Sequence, residues 1–557
     1  MKRVLTLTLA VAMLLTLLAA CGGSGGGGAA TTAAAATEAA TTTAAATTAA
    51  ATTAEATTTA TTAAEPDTSR MLTITANRFA EHVDWDQMYI WQKFEEDTGI
   101  KVTWDYVDAS AIIEQRNLRV ATNSLTDAFY GGRWTPAEIA QYTQEGHFIP
   151  IDGYLNATYA PNTTKFYEEY PFVKQALYLF DGHIYGWPIV TLEKAPSAAF
   201  MVREEWMNDQ GLALPTTTDE LLDLMIKMKE PDPSRLVYTS YDGQIAYGDL
   251  LRCLMGCWGL GNRGAAVDFW DADPSDWSKV RFIPTTSEFK EMLTLVNKMY
   301  AAGCIVPDAM TQPETAWGAK TAQTNPSIIG VSTNDVLEVY MCEQDYIGVG
   351  PLTGPHGDNM HSAVNIQTNR QWNYVITKNC KNIETAVEFA DYWMSEEASI
   401  LFFRGAEGIH WEWNEDHTRR VAMDWLTNDP GGRSEDQMRS TWTSQPGGSY
   451  FGYNLPQPPD LSYNYVKACE DLKPYLPEIC WPMFSFTADE TSITTTVGID
   501  VTAYYQESVV SFISGRLSLD NDWDTYVKRY DDMGLSSLRE AYQAAYDRYL
   551  ASGGELN

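Results

Sequence analysis

The chain has 557 residues, 38 of them basic and 73 acidic, for a formal net charge of −35. That balance excludes a nucleic-acid binder, which needs clustered Lys and Arg against phosphates, and it excludes a polybasic membrane-surface protein. Hydrophobic residues make up 45% and charged ones 20%, a globular composition, and ~100–200 residues per domain predicts about three to five compact units, or fewer large ones. Charge does not explain the 18 Trp and 30 Tyr.

Lys2 and Arg3 precede an apolar stretch, residues 4–18, that is too short to span a membrane comfortably. Leu18-Ala19-Ala20-Cys21, followed by Gly22-Gly23-Ser24, resembles the lipobox of bacterial lipoproteins. The resemblance implies that residues 1–20 are a signal peptide and that Cys21 is lipidated, anchoring the protein extracellularly to the outer face of the bacterial cytoplasmic membrane. No later apolar run reaches 18 residues, so no transmembrane helix is expected. Residues 21–70 then comprise this Cys and a Gly/Ala/Thr-rich tether, which lacks the large apolar side chains that offset ordering entropy. Gly22-Gly23-Ser24-Gly25-Gly26 fits G-x-S-x-G only formally, since it has no flanking strand and helix.

From residue 71 the chain alternates. Met71 to Thr75 reads as a strand and Trp91 to Gly99 as a helix end capped by glycine. Residues 101–106 read as a second strand, 109–122 as a helix, 125–130 as a strand and 136–145 as a helix. Strand–helix–strand repetition predicts an α/β lobe with a parallel-rich sheet. Seven cysteines follow Cys21, an odd number; Cys253 and Cys257, one helical turn apart in an apolar run, read as buried thiols rather than a zinc pair.

WQKFEEDTGIKV (91–102), DAFYGGRWTPAEIAQYTQEGHFIPID (127–152), DGHIYGWP (181–188), MVREEWMNDQGLALPTTTDELLDLM (201–225), GAEGIHWEW (405–413) and the tail 522–550 together resemble the extracellular solute-binding proteins of ABC importers, family 1-like, in particular the oligosaccharide-type lipoproteins. The resemblance covers residues 71–550. It implies an α/β, two-lobed periplasmic-binding-protein-like fold, each lobe a sheet flanked by helices, with a hinged cleft between them. The N-terminal lobe would comprise 71–187 plus 350–403, and the C-terminal lobe 188–349 plus 404–557. Relatives carry an Asp-rich, calcium-like loop where this chain has Glu230-Pro231-Asp232-Pro233-Ser234-Arg235, so no calcium site, and no other metal or cofactor, is carried over.

Sugars stack their C–H faces on aromatic rings and need acidic or amide partners for their hydroxyls. Aromatic and charged residues in loops after strands or near lobe crossings are therefore the candidate ligands: Arg78, Trp85, Tyr130, Arg133, Trp134, Trp187, Glu193, Trp317, Trp372, Glu407 and Trp411. Trp523, Tyr526, Tyr546 and Tyr549 fall at helical spacings that favour core packing. No catalytic constellation is found: the seven His are scattered, Gly259 to Gly264 matches G-x-G-x-x-G after a helix rather than a strand, and Asp271, Asp273 and Asp276 read as solvated turn acids. The expectation is a non-enzymatic, monomeric, lipid-anchored receptor that binds an oligosaccharide or other sugar by hinge closure and passes it to ABC permease subunits. A glycoside hydrolase, or a surface adhesin or sensor with the same fold, is the alternative.

Overall fold

Leu72, Ile74 and Ala76 point to one face of the first strand and Thr75 and Asn77 to the other, and all five are buried. A strand covered on both faces belongs inside a parallel sheet flanked by helices, and the computed structural model has that arrangement. It describes residues 68–551 except 81, 193, 242–243, 247, 262–268, 314–315, 318–327, 334–342, 365–367, 432, 434, 445–451, 455–462, 479 and 482–484.

The strands in chain order are β1 (Met71–Arg78), β2 (Lys101–Asp108), β3 (Ala128–Tyr130), β4 (Gly186–Thr191), β5 (Met201–Arg203), β6 (Trp270–Asp273) and β7 (Asp276–Phe282). There follow β8 (Val331–Ser332), β9 (Tyr346–Gly348), β10 (Thr368–Ile376), β11 (Trp411–Trp413), β12 (Arg420–Ala422) and β13 (Tyr453–Asn454). A six-stranded sheet has the order β13-β4-β10-β3-β1-β2, and a three-stranded sheet the order β8-β5-β9. β6–β7 and β11–β12 are separate two-stranded ribbons. β1 runs parallel to both β2 and β3, while β10 is antiparallel to β3 and β4.

The predicted opening elements form as read. The helix Tyr89–Thr98 buries Ile90, Trp91 and Phe94 and stops at Gly99, whose φ of 70° few residues but glycine adopt readily. The helix Pro136–Gln144 begins with a reciprocal Thr135/Glu138 capping box and Pro136 in its first turn.

Two of the expected lobe crossings, at 349/350 and 403/404, do not coincide with the cores. Val349, Leu352 and Ala363 pack into the core around the smaller sheet, together with Leu221, Met225, Phe289, Val296 and the C-terminal helices. Leu426, Met438, Trp442 and Tyr453 pack instead into the core of the larger sheet, whose edge β13 completes. Hydrophobic contact overrides the block boundaries because each segment buries its apolar side where a matching surface exists. The C-terminal aromatics Trp523, Tyr526, Tyr546 and Tyr549 are core residues, as their spacing predicts.

Cys253 and Cys257 are buried free thiols; burial pushes the Cys257 thiol up to about 12 and Cys253 well above its ordinary value. Asp271 corrects the reading of its segment as solvated. It is fully buried on β6, accepting from Arg281 Nε at 2.8 Å and Nη2 at 2.6 Å and from the Gly261 backbone N–H at 3.0 Å. Asp273 and Asp276 do cap exposed turns, each accepting from a serine two residues on. In the Glu230-to-Arg235 loop, Asp232 likewise accepts from the Ser234 backbone N–H at 2.8 Å and hydroxyl at 2.6 Å. Among the described residues no helix is long and apolar enough to cross a membrane.

Candidate ligand-binding cleft

β1, β2 and β3 are parallel and end together at Arg78, Asp108 and Tyr130. In open α/β sheets, ligands seat outside such carboxyl ends. At this edge Arg78 forms an ion pair with Asp84 and lies 4.8 Å from the centroid of the Tyr106 ring. Arg133 adopts a φ of 52° and lies 5.4 Å from the Phe79 ring. The turn between β3 and Arg133 needs its glycines: Gly131 has a φ of 71°, and a Cβ on Gly132 would fall 2.3 Å from Trp134 Nε1. The two predicted arginines are thus brought to one edge of the larger sheet.

The lobe around the smaller sheet offers a polar edge. Leu236 and Tyr238 bridge in parallel to Ile329 and Ile305, and the chain then turns polar at Thr239, Ser240 and Tyr241. Ser332 and Thr333 end β8 beside them, and with Gln244, Asp249 and Trp317 these residues surround a recess of about 40 Å³. That is room for one hydroxyl-sized group. The recess is held by its own hydrogen bonds. Gln312 Nε2 donates to Thr239 Oγ1 at 2.8 Å, and the Tyr238 and Thr333 hydroxyls lie 3.0 Å apart. Burial pushes the Tyr238 hydroxyl far above its ordinary pKa, so it stays a neutral hydrogen-bonding group. Asp249 accepts from Arg252 at 2.7 Å. The Tyr241 and Trp317 rings sit 4.9 Å apart, tilted by 43°. Hydroxyls, an amide, one carboxylate and an aromatic pair form a surface suited to a polyol with apolar C–H faces.

The lobes are connected near this region by an antiparallel bridge between Pro196 and Val364. They also touch where the helices Pro136–Gln144 and Ala488–Ile513 meet. Ser485 Oγ donates to the Tyr178 carbonyl at 3.1 Å.

Of the predicted ligands, Trp317 borders the recess but is largely buried in a cluster with Ala199, Met201, Ile329 and Tyr346, and Arg78 and Arg133 lie at the larger sheet's carboxyl edge. Trp85, Tyr130 and Trp187 are corrected to core residues, each fully buried. Trp85 stacks on Trp91 at 5.5 Å and meets Trp104 edge-on at 4.8 Å and Tyr130 at 5.5 Å, so these rings satisfy one another. Trp187 donates to Thr163 Oγ1 at 3.2 Å inside the same core. Trp134 and Trp372 are also corrected: both are buried in a smaller cluster on the sheet's other face, with the Arg116 guanidinium 4.2 Å from the Trp134 ring. Glu407 and buried Trp411 border a hollow elsewhere on the lobe of the larger sheet, and Glu193 lies outside the described residues. Tyr241, Gln244, Asp249, Ser332 and Thr333 were missed by the sequence reading. A usable signal was present, since both polar runs, Thr239-Ser240-Tyr241 and Ser332-Thr333, directly follow short apolar strands.

Residues 79–252 match the bacterial extracellular solute-binding protein family. The chain is 22% identical over 502 residues, covering 86% of it and 90% of the relative, to the fructooligosaccharide ABC transporter substrate-binding protein FusA of Streptococcus pneumoniae serotype 4. The structure of FusA in complex with kestose aligns with a TM-score of 0.70, covering 86% of this chain and 100% of that one. An HMO-binding, ABC-transporter-associated solute-binding protein from Bifidobacterium longum infantis aligns with a TM-score of 0.71 at 18% identity, covering 86% and 99%. The lipoprotein LipO of Bacillus subtilis is 24% identical over 247 residues, 42% of this chain and 47% of its own length. Two sheets flanked by helices are thus the periplasmic-binding-protein-like fold that these solved structures share, and residues 79–252 are similar to the bacterial extracellular solute-binding protein family.

Proposed function

We propose that the protein is a lipid-anchored extracellular receptor of an ABC importer, which captures an oligosaccharide between its lobes and delivers it unchanged to a membrane permease. The observation that carries this reading is the recess of Thr239, Ser240, Gln244, Asp249, Ser332 and Thr333 beside the Tyr241–Trp317 pair, at a strand-end edge of a two-lobed fold. The sugar-binding relatives named above support the ligand class, and Leu18-Ala19-Ala20-Cys21 supports the anchor. A glycan bridging both carboxyl edges favours the closed state by its differential affinity for it, and its release reopens the hinge. The recess takes a hydroxyl-bearing edge of the sugar, and the aromatic pair takes a C–H face.

The test is a thermal-shift and Trp-fluorescence titration against fructo-oligosaccharides and milk-type oligosaccharides. A bound glycan at 100 times its Kd stabilises the fold by about 2.7 kcal/mol. Tyr241→Ala is expected to weaken binding about 3- to 10-fold through loss of the half-buried stacking face, with the glycan recovered unchanged by reducing-end assay. No melting shift with any glycan, or newly generated reducing ends, would refute the reading.

A further inference from the structure

The ribbon β11–β12 borders a hollow of about 500 Å³ on the lobe of the larger sheet, within the ~300–1,000 Å³ of small-molecule sites. Ala398, Leu401, Gly405, Ala406, Trp411 and Trp413 supply its apolar lining. It is separate from the carboxyl edge. The helix Tyr89–Thr98 follows the end of β1 and runs back to the start of β2, and its later turns, at Lys93 and Asp97, reach the hollow.

Most polar groups here are satisfied internally. Lys93 pairs with Asp97, Tyr392 donates to Asp97 at 2.7 Å, and Trp411 Nε1 donates to the Gly405 carbonyl at 2.8 Å. Among the described residues Arg420 makes no ion pair, and neither do the exposed Glu397 and Glu407. The Arg420 guanidinium carbon lies 5.1 Å from the Trp411 ring centroid and 4.8 Å from that of Trp413. Its buried Nε has no hydrogen-bond partner among the described residues. Arg235 also lies over an indole, 4.4 Å from the Trp206 ring, but its Nη1 donates to the Met228 carbonyl at 2.9 Å, a partner that Arg420 lacks among the described residues. Leaving a partly buried cation unpaired is costly, and a planar guanidinium held beside two aromatic rings, themselves in edge-on contact at 5.5 Å, is preorganised to receive a carboxylate.

We propose that this hollow is a second binding site, for a small organic monocarboxylate with an apolar body. The carboxylate pairs with Arg420, and the body rests on Trp413, Leu401 and Ala398. Exposed Glu397 and Glu407 at the lining disfavour ligands with a second negative charge. The site is independent of the interlobe cleft, so it stands whether or not a glycan binds there.

Phenylacetate and hexanoate are the probes, titrated against the intact protein by Trp fluorescence and calorimetry. Phenethylamine and phenyl phosphate serve as charge controls. Saturable binding of both carboxylates with Kd of about 0.1–1 mM is expected, with Arg420→Gln weakening it at least about 10-fold and Arg420→Lys restoring only part of it. The amine should not bind, and the phosphate should bind less tightly than phenylacetate. Silence from both carboxylates, equal binding of the amine, tighter binding of the phosphate, or undiminished binding by a folded Arg420→Gln protein would each overturn the site. The comparison of acid with amine reads the site even if that variant fails to fold.

Discussion

His410 shows how burial sets the chemistry of a single side chain. It packs 4.3 Å from the Trp442 ring and its Nδ1 accepts from the Ala406 backbone N–H at 3.0 Å, which places its ring proton on Nε2. Burial lowers its pKa to about 4, and it does the same to His361, whose Nε2 donates to the Ala198 carbonyl at 2.8 Å. Below the ordinary value near 6.5 the unfolded chain takes up protons that these folded residues refuse. Stability is therefore full above about pH 6.5 and falls as pH drops towards about 4, by up to ~1.4 kcal/mol per pH unit for each His. His410→Asn keeps an acceptor for Ala406 and removes one titration. Urea unfolding between these pH values should show a shallower stability slope for this variant by about that amount, and an unchanged slope would refute the assignment.

Segment 349–363 is fastened to the lobe of the smaller sheet by close backbone contact as well as by its side chains. Gly354 and Gly256 both allow close approach: a Cβ would fall 1.7 Å from the Cys257 carbonyl oxygen at the first and 1.9 Å from the Met360 carbonyl oxygen at the second. The Gly256 N–H donates to Ser362 Oγ at 2.8 Å, closing the joint. Backbone atoms cannot swing aside as a flexible side chain can. Gly354→Ala is therefore expected to cost at least about 1–3 kcal/mol in denaturant unfolding, and a variant within experimental error of the parent would show that this joint yields easily. Element identity along the chain was legible because caps and periodicity are local, as at Gly99 and Thr135. The sheet to which residues 349–363 and 404–454 belong was not, because it depends on which distant surface complements theirs.

At the scale of the whole molecule, two cores and two carboxyl edges are joined by a few crossings, including the Pro196–Val364 bridge. Such a connection lets the lobes rotate about loop residues while each core stays packed. Small-angle scattering should then show a lower radius of gyration with a saturating glycan than without. A glycan that raises the melting temperature without compacting the molecule would separate binding from closure. The charge of −35 bears on solubility and excluded partners, not on this motion.

The aromatic surplus divides along the same line. Its presence, the α/β alternation, the family likeness and the lipobox-like leader are properties of order along the chain, and the sequence carries them unaided. Which rings meet a ligand is a property of position in space. Trp85, Tyr130 and Trp187 stand after strands or near a crossing, as a sugar platform would, yet they lie in the core because neighbouring indoles and phenols from distant segments cover them. Trp317 lies at the recess because two short polar strand ends converge on it. Arg420, unremarkable in sequence, stands out only once folding has placed two tryptophans against it and, among the described residues, no carboxylate. Burial and pairing arise from contacts between residues far apart in the chain, and tertiary structure alone decides them.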